Sequence, residues 1–208
     1  MPHGSPVGDT LVHLDDATRA LVQLSAALAS GSEDDVRGAL QRAMATTPHD
    51  WIEELLLQTY LFAGFPRALN GMREWRRLSP APAPGTLVRN DAAVTTGEVT
   101  CARVYGDMYS RLRKNIATLH PRLDEWMIAE GYGKVLSRPG LDLGRRELCI
   151  VAACAATGQD RQLQSHLHGA RNVGVSDTVI SSALVSLAGV IPGELLDRAR
   201  RLWARVAA

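Results

Sequence analysis

Leu141-Asp142-Leu143-Gly144-Arg145-Arg146-Glu147-Leu148, the apolar run that continues to Ala156, and Gly158 with the segment to Ala170 decide how this chain folds. The run Leu148 to Ala156 carries no charge and is followed, after Gly158, by helical spacing through Leu167 and Ala170. The same order stands upstream: Leu14-Asp15, three residues, Arg19, then Gly31, then a helix containing Leu40 and Ala43. The register that lays Leu14-Asp15 on Leu141-Asp142 also lays Asp50 on Asp177. After a small shift, Ala63-Gly64-Phe65-Pro66 falls on Ala188-Gly189-Val190-Ile191-Pro192. The match is weak residue by residue but keeps its order, which points to two copies of one helical unit. Chance alignment of Ala-rich helices is the competing account.

Helical spacing extends through the rest of the chain. Leu21, Leu24 and Leu28 share a stripe, as do Leu56 and Tyr60, Leu57 and Leu61, and Leu195, Ala199 and Leu202. Period-2 stretches are short, so the expected fold class is all-α with little or no sheet. Ser79-Pro80-Ala81-Pro82-Ala83-Pro84-Gly85 breaks the pattern, since prolines at alternate positions favour a stiff extended connector. The expected organisation is a flexible N-terminus over 1–10, a first repeat over 11–78, a Pro-rich linker over 79–98 and a second repeat over 99–208.

The 208 residues suffice for one large domain or two small ones. A hydrophobic share of 46% with 22% charged residues fits a soluble globule, and a net charge of +1 implies no polyanionic partner. Cys101, Cys149 and Cys154 do not make a secreted disulfide framework. No apolar run reaches the ~18 residues needed to span a bilayer. Met1 to Thr10 has no apolar signal core, and a cytoplasmic protein is expected.

The strings with most information lie at opposite ends of the two halves. Glu130-Gly131-Tyr132-Gly133, Ser137-Arg138-Pro139-Gly140-Leu141-Asp142 and Arg146-Glu147-Leu148 resemble the entry segment of bacterial gamma-carboxymuconolactone decarboxylases. His166 before Gly169-Ala170, and Asn172-x-Gly174-Val175-Ser176-Asp177, continue that pattern. Thr47-Pro48-His49-Asp50, Glu53 to Gln58, Tyr60 and Ala63-Gly64-Phe65-Pro66 resemble its other end. The resemblance, to the carboxymuconolactone decarboxylase and alkylhydroperoxidase D-like superfamily, covers most of Leu14 to Ala208. It implies an alkylhydroperoxidase D-like helical bundle in two tandem copies and a chemistry without cofactor or metal. It also implies assembly as a homo-oligomer, a trimer of tandem chains equivalent to a hexamer of units.

The redox branch of that superfamily uses Glu-x11-Cys-x2-Cys-x3-His. Here the spacing reads Glu147-x11-Gln159-x2-Gln162-x3-His166, so the Glu and His are kept and both thiol positions are glutamine. Cys149 and Cys154 stand five apart in an apolar helix and read as inert core thiols. A peroxiredoxin-like antioxidant cycle is therefore disfavoured.

The resemblance then implies an acid/base enzyme acting on a small carboxylated lactone or oxo-acid. His166 is the candidate acid that protonates carbon as carbon dioxide leaves, and Glu147 sets its tautomer. Arg138 is the candidate carboxylate clamp. Gln159 and Gln162 are candidate donors to an enolate or lactone oxygen, with Asp160 or Thr157 capping their helix. In the first half Ala20 and Ala39 align with Glu147 and His166, so that centre is degenerate. Its segment Glu54 to Pro66 is expected to pack over the second repeat, where Glu54, Gln58 or Tyr60 would complete one composite site.

Structural readings compete at each position. Glu147 beside Arg145 and Arg146 could be a surface ion-pair residue, Arg138 a loop brace, and His166 a hydrogen-bonded interior histidine. His166-x-His168 is not read as a metal pair, because residues two apart on a helix diverge. The remaining functional alternative is a non-catalytic oligomeric binding or scaffold protein.

Overall fold

The computed structural model describes residues 13–79 and 92–208. The proposed N-terminal segment, most of the proline connector and Leu14's upstream neighbours at 11–12 lie outside them. The chain order is α1 (Asp16–Ser30), α2 (Glu33–Thr46), α3 (His49–Leu78), α4 (Ala93–Tyr105) and α5 (Tyr109–Leu119), with a single 3-10 turn between the last two. Then come α6 (Pro121–Trp126), a π-helical segment (Met127–Leu136), α7 (Leu143–Thr157), α8 (Asp160–Asn172), α9 (Asp177–Val185) and α10 (Gly193–Ala207). Among the described residues there is no strand, only an isolated bridge between Ala188 and Ile191. The all-α expectation holds. The linker expected over 79–98 is shorter than its sequence reading, because Ala93 to Glu98 already form the first turns of α4. Gly97 lies in a helix there because α4 packs backbone to backbone: a Cβ on it would stand 2.2 Å from the Ile128 carbonyl oxygen.

α1 and α7 are the two seams of the bundle. Each is 15 residues long, begins at an aspartate whose side chain accepts a backbone N–H (Asp15 from Thr18, Asp142 from Arg145) and ends at a glycine. Arg145 ties the two N-termini together. It donates to Asp15 at 2.9 Å, to Asp142 at 2.7 Å and to the Thr18 hydroxyl at 2.8 Å, and it lies over the Trp51 ring. Leu21, Leu24 and Leu28 of α1 face one apolar cluster with α2, α3 and Cys149. Val22, Ala26 and Ala29 face a larger one built from α4, the π-helical segment and α7 to α10. A helix with apolar residues on both flanks is buried from both sides, which is why α1 joins the halves.

α3 changes direction at Gly64, whose φ of 82° suits glycine, with Pro66 two residues on. The Ala63-Gly64-Phe65-Pro66 string is therefore a kink at which one helix ends and a second begins. α10 uses its apolar stripe within the chain: Leu196, Ala199, Leu202 and Trp203 are buried in the larger cluster.

Candidate active site

The α7–α8 hairpin brings Glu147 and His166 together. Glu147 lies in the first half of α7, on a stretch where every residue from Arg146 to Ala156 is buried. His166 lies on the inner face of α8. His166 Nδ1 is 2.7 Å from Glu147 Oε2, and the two side chains are 6% and 0% exposed. The surface ion-pair reading of Glu147 is thereby excluded. Glu147 Oε1 is buried with no hydrogen-bond partner. A buried carboxylate oxygen without a donor is costly. Gly169 makes the approach possible, because a Cβ there would stand 2.6 Å from Glu147 Oε2 and 2.8 Å from Val104.

Aromatic rings enclose the pair. Phe62 of α3 meets the His166 ring edge-on at 5.6 Å, and Tyr105 of α4 meets it at 6.4 Å. Tyr105 in turn packs at 6.2 Å against Tyr132, from the π-helical segment. The Tyr105 and Tyr132 hydroxyls share a hydrogen bond, and burial pushes both phenols above their ordinary range. Cys101 and Cys154 are buried close enough to Glu147 to feel its charge, and burial pushes each thiol up to about 12. Cys149 is likewise pushed up to about 12 by burial. The reading of these cysteines as inert core thiols agrees with that environment.

Other candidates fall elsewhere. Arg138 donates from Nε and Nη2 to both oxygens of Glu54, at 2.8–3.1 Å. Its fork is occupied by a protein carboxylate, which corrects its reading as a free clamp and supports the loop-brace alternative. Glu54 also accepts from Arg146 at 2.8 Å, and Gln58 bonds the Arg146 backbone and side chain. Arg146 is fully buried, so Glu54 and Gln58 are spent on compensating it and do not turn to His166. Tyr60 stacks on Phe65 at 4.8 Å. The first half does reach the pair, but through Phe62, one helical turn beyond Gln58. Gln159 and Gln162 are exposed. Gln159 is itself the α8 N-cap, without a side-chain bond, and Thr157 turns back to the Ala153 carbonyl, so neither Asp160 nor Thr157 caps the helix.

Sequence reasoning passed over Phe62, Tyr105 and Tyr132 as site residues. Phe62 was reachable by extending the Glu54–Gln58 spacing by one turn. Tyr132 stands inside the quoted Glu130-Gly131-Tyr132-Gly133 string. Nothing in the sequence marks Tyr105, whose place depends on how α4 crosses α8.

Residues 121–204 match the family model of the Carboxymuconolactone decarboxylase family. The segment spans α6 to α10 and holds both Glu147 and His166. The chain is also 28% identical over 171 residues to Peroxisomal protein 2 of Schizosaccharomyces pombe, covering 78% of this chain and 80% of that protein. Among the described residues no helix is long and apolar enough to cross a membrane.

Proposed function

From the match of residues 121–204 to the model of the Carboxymuconolactone decarboxylase family we propose a cofactor-free acid/base enzyme that decarboxylates a small carboxylated lactone or oxo-acid. The buried Glu147–His166 pair carries the reading. An ionised Glu147 accepts from Nδ1–H, which orients the ring and leaves Nε2 to exchange the proton. As the carbon–carboxylate bond breaks, its electron pair passes to the substrate carbon as an enolate, carbon dioxide departs, and His166 Nε2–H delivers a proton to that carbon. The aromatic enclosure by Phe62 and Tyr105 limits water at the pair. Glutamine at both thiol positions, with all three cysteines buried, argues against a peroxidase cycle.

The matched α1 and α7 caps support the tandem-unit reading. Exposed Leu119, Leu123 and Trp126 on α5 and α6 support assembly with further copies of this chain, a trimer by the resemblance. The proposed compartment is the cytoplasm, with the peroxisome named by the yeast relative as the outcome that localisation imaging would distinguish.

The test is carbon dioxide release from a carboxylated lactone by wild type, His166→Ala and Glu147→Gln. Release lost in His166→Ala and reduced in Glu147→Gln supports the reading. A folded wild type that releases nothing across a panel of carboxylated lactones and oxo-acids overturns it in favour of a binding or scaffold role.

A further inference from the structure

A cleft of about 590 Å³ opens between α4, α5 and α8. Its size lies in the range of small-molecule sites. One wall is apolar, formed by Val104, Tyr105, Met108 and Leu112. The other is polar, formed along α8 by Gln164, Ser165, His168 and Asn172. Arg111 and Asn115 line it from α5, and Asp107 lines it from the turn before α5. Tyr105 is shared: it lines the cleft, and its ring also meets His166 at 6.4 Å.

The charges in this cleft are not spent on one another. Its neighbour Arg113 is held by Asp124 and Tyr109. Among the described residues Arg111 and Asp107 both line the cleft, are both exposed, and form no ion pair with each other. Asn172 uses its amide nitrogen on the Val104 carbonyl at 2.8 Å, which fixes the floor. Arg138, the arginine expected to clamp substrate, is occupied by Glu54.

We propose that this cleft binds a small organic carboxylate, with the Arg111 guanidinium and the His168 imidazole taking the carboxylate and the Val104–Tyr105–Met108 wall taking its apolar body. The choice of a carboxylate rests on the acid/base reading of His166, because both sites share Tyr105. Arg111 supplies a planar donor fork suited to a carboxylate. Asp107, which lines the same cleft, repels a bound carboxylate and so lowers its affinity.

The experiment is a titration of the intact protein with succinate, followed by amide chemical shifts, with succinamide as the uncharged control. Wild type is expected to show saturable shifts at residues of α4, α5 and α8 with succinate and none with succinamide. Arg111→Gln should weaken binding about tenfold or more, as expected for loss of a charged hydrogen-bond partner. Asp107→Asn should strengthen it severalfold, and both exposed substitutions leave the fold intact. Equal binding by wild type and Arg111→Gln, or no saturable shift in wild type, overturns the proposal. The titration needs no turnover, so its outcome separates from that of the acid/base reading. Arg111-dependent binding without any catalysis keeps the cleft and removes the enzyme. Catalysis indifferent to Arg111 does the reverse.

Discussion

Glu54 of α3 accepts from two arginines of the other half, Arg138 and Arg146, each through an Nη2 bond of 2.8 Å, yet the two arginines differ entirely in exposure. The Arg146 side chain is 0% exposed and that of Arg138 is 39% exposed. Burial pulls the Arg146 guanidinium below its ordinary value against the opposing pull of Glu54. Removing the carboxylate strands a buried cation. Glu54→Ala should cost about 3–5 kcal/mol, whereas Arg138→Ala, which removes a partly solvated pair, should cost about 0–1 kcal/mol. Urea unfolding of the two variants checks this. Comparable losses would show that the halves are not held by the buried pair.

Gly169→Ala should disrupt the Glu147–His166 pair. The added methyl would stand 2.6 Å from Glu147 Oε2, an overpacking expected to cost about 1–3 kcal/mol. Nothing lies within 4 Å of a Cβ built on Gly193, so Gly193→Ala is the matched control. The expected result is a lowered melting temperature and lost carbon dioxide release in Gly169→Ala only.

The three thiols should be silent in the native protein. Burial holds Cys101, Cys149 and Cys154 up at about 12, so almost no thiolate exists near pH 8. A chromogenic disulfide reagent should react slowly with folded protein and with all three thiols once urea is added. Rapid native labelling would restore the redox reading that glutamine at 159 and 162 argues against.

Acid sensitivity should run partly through Glu53. Burial pulls its carboxyl upward, but hydrogen bonds from Arg76 at 2.6 Å and Trp75 at 2.9 Å outweigh burial and hold it below its ordinary value. A folded value below the unfolded one means stability that is present above the unfolded carboxylate range and lost as pH falls through the folded value. Glu53→Gln should lower stability at neutral pH and flatten its decline into the acid range, followed by Trp75 fluorescence. An unchanged acid limb in the variant would remove Glu53 from that role.

The sequence by itself determined the helices and the pair. Apolar periodicity is local, so the helices were legible, and the pairing of Glu147 with His166 was legible through the resemblance, whose spacing one helical hairpin closes. The conversion of both thiol positions to glutamine was equally plain. Tertiary structure alone decided which charges were available. Arg138 and Glu54 are 84 positions apart and only the packing of α3 on the π-helical segment and α7 shows that each consumes the other. Tyr105 becomes part of the site because α4 lies against α8, close enough for Asn172 to reach the Val104 carbonyl. Local pattern fixes which face of a helix is apolar, but an ion pair or a cavity wall is set by which distant face arrives opposite it, and that is a property of the packed chain.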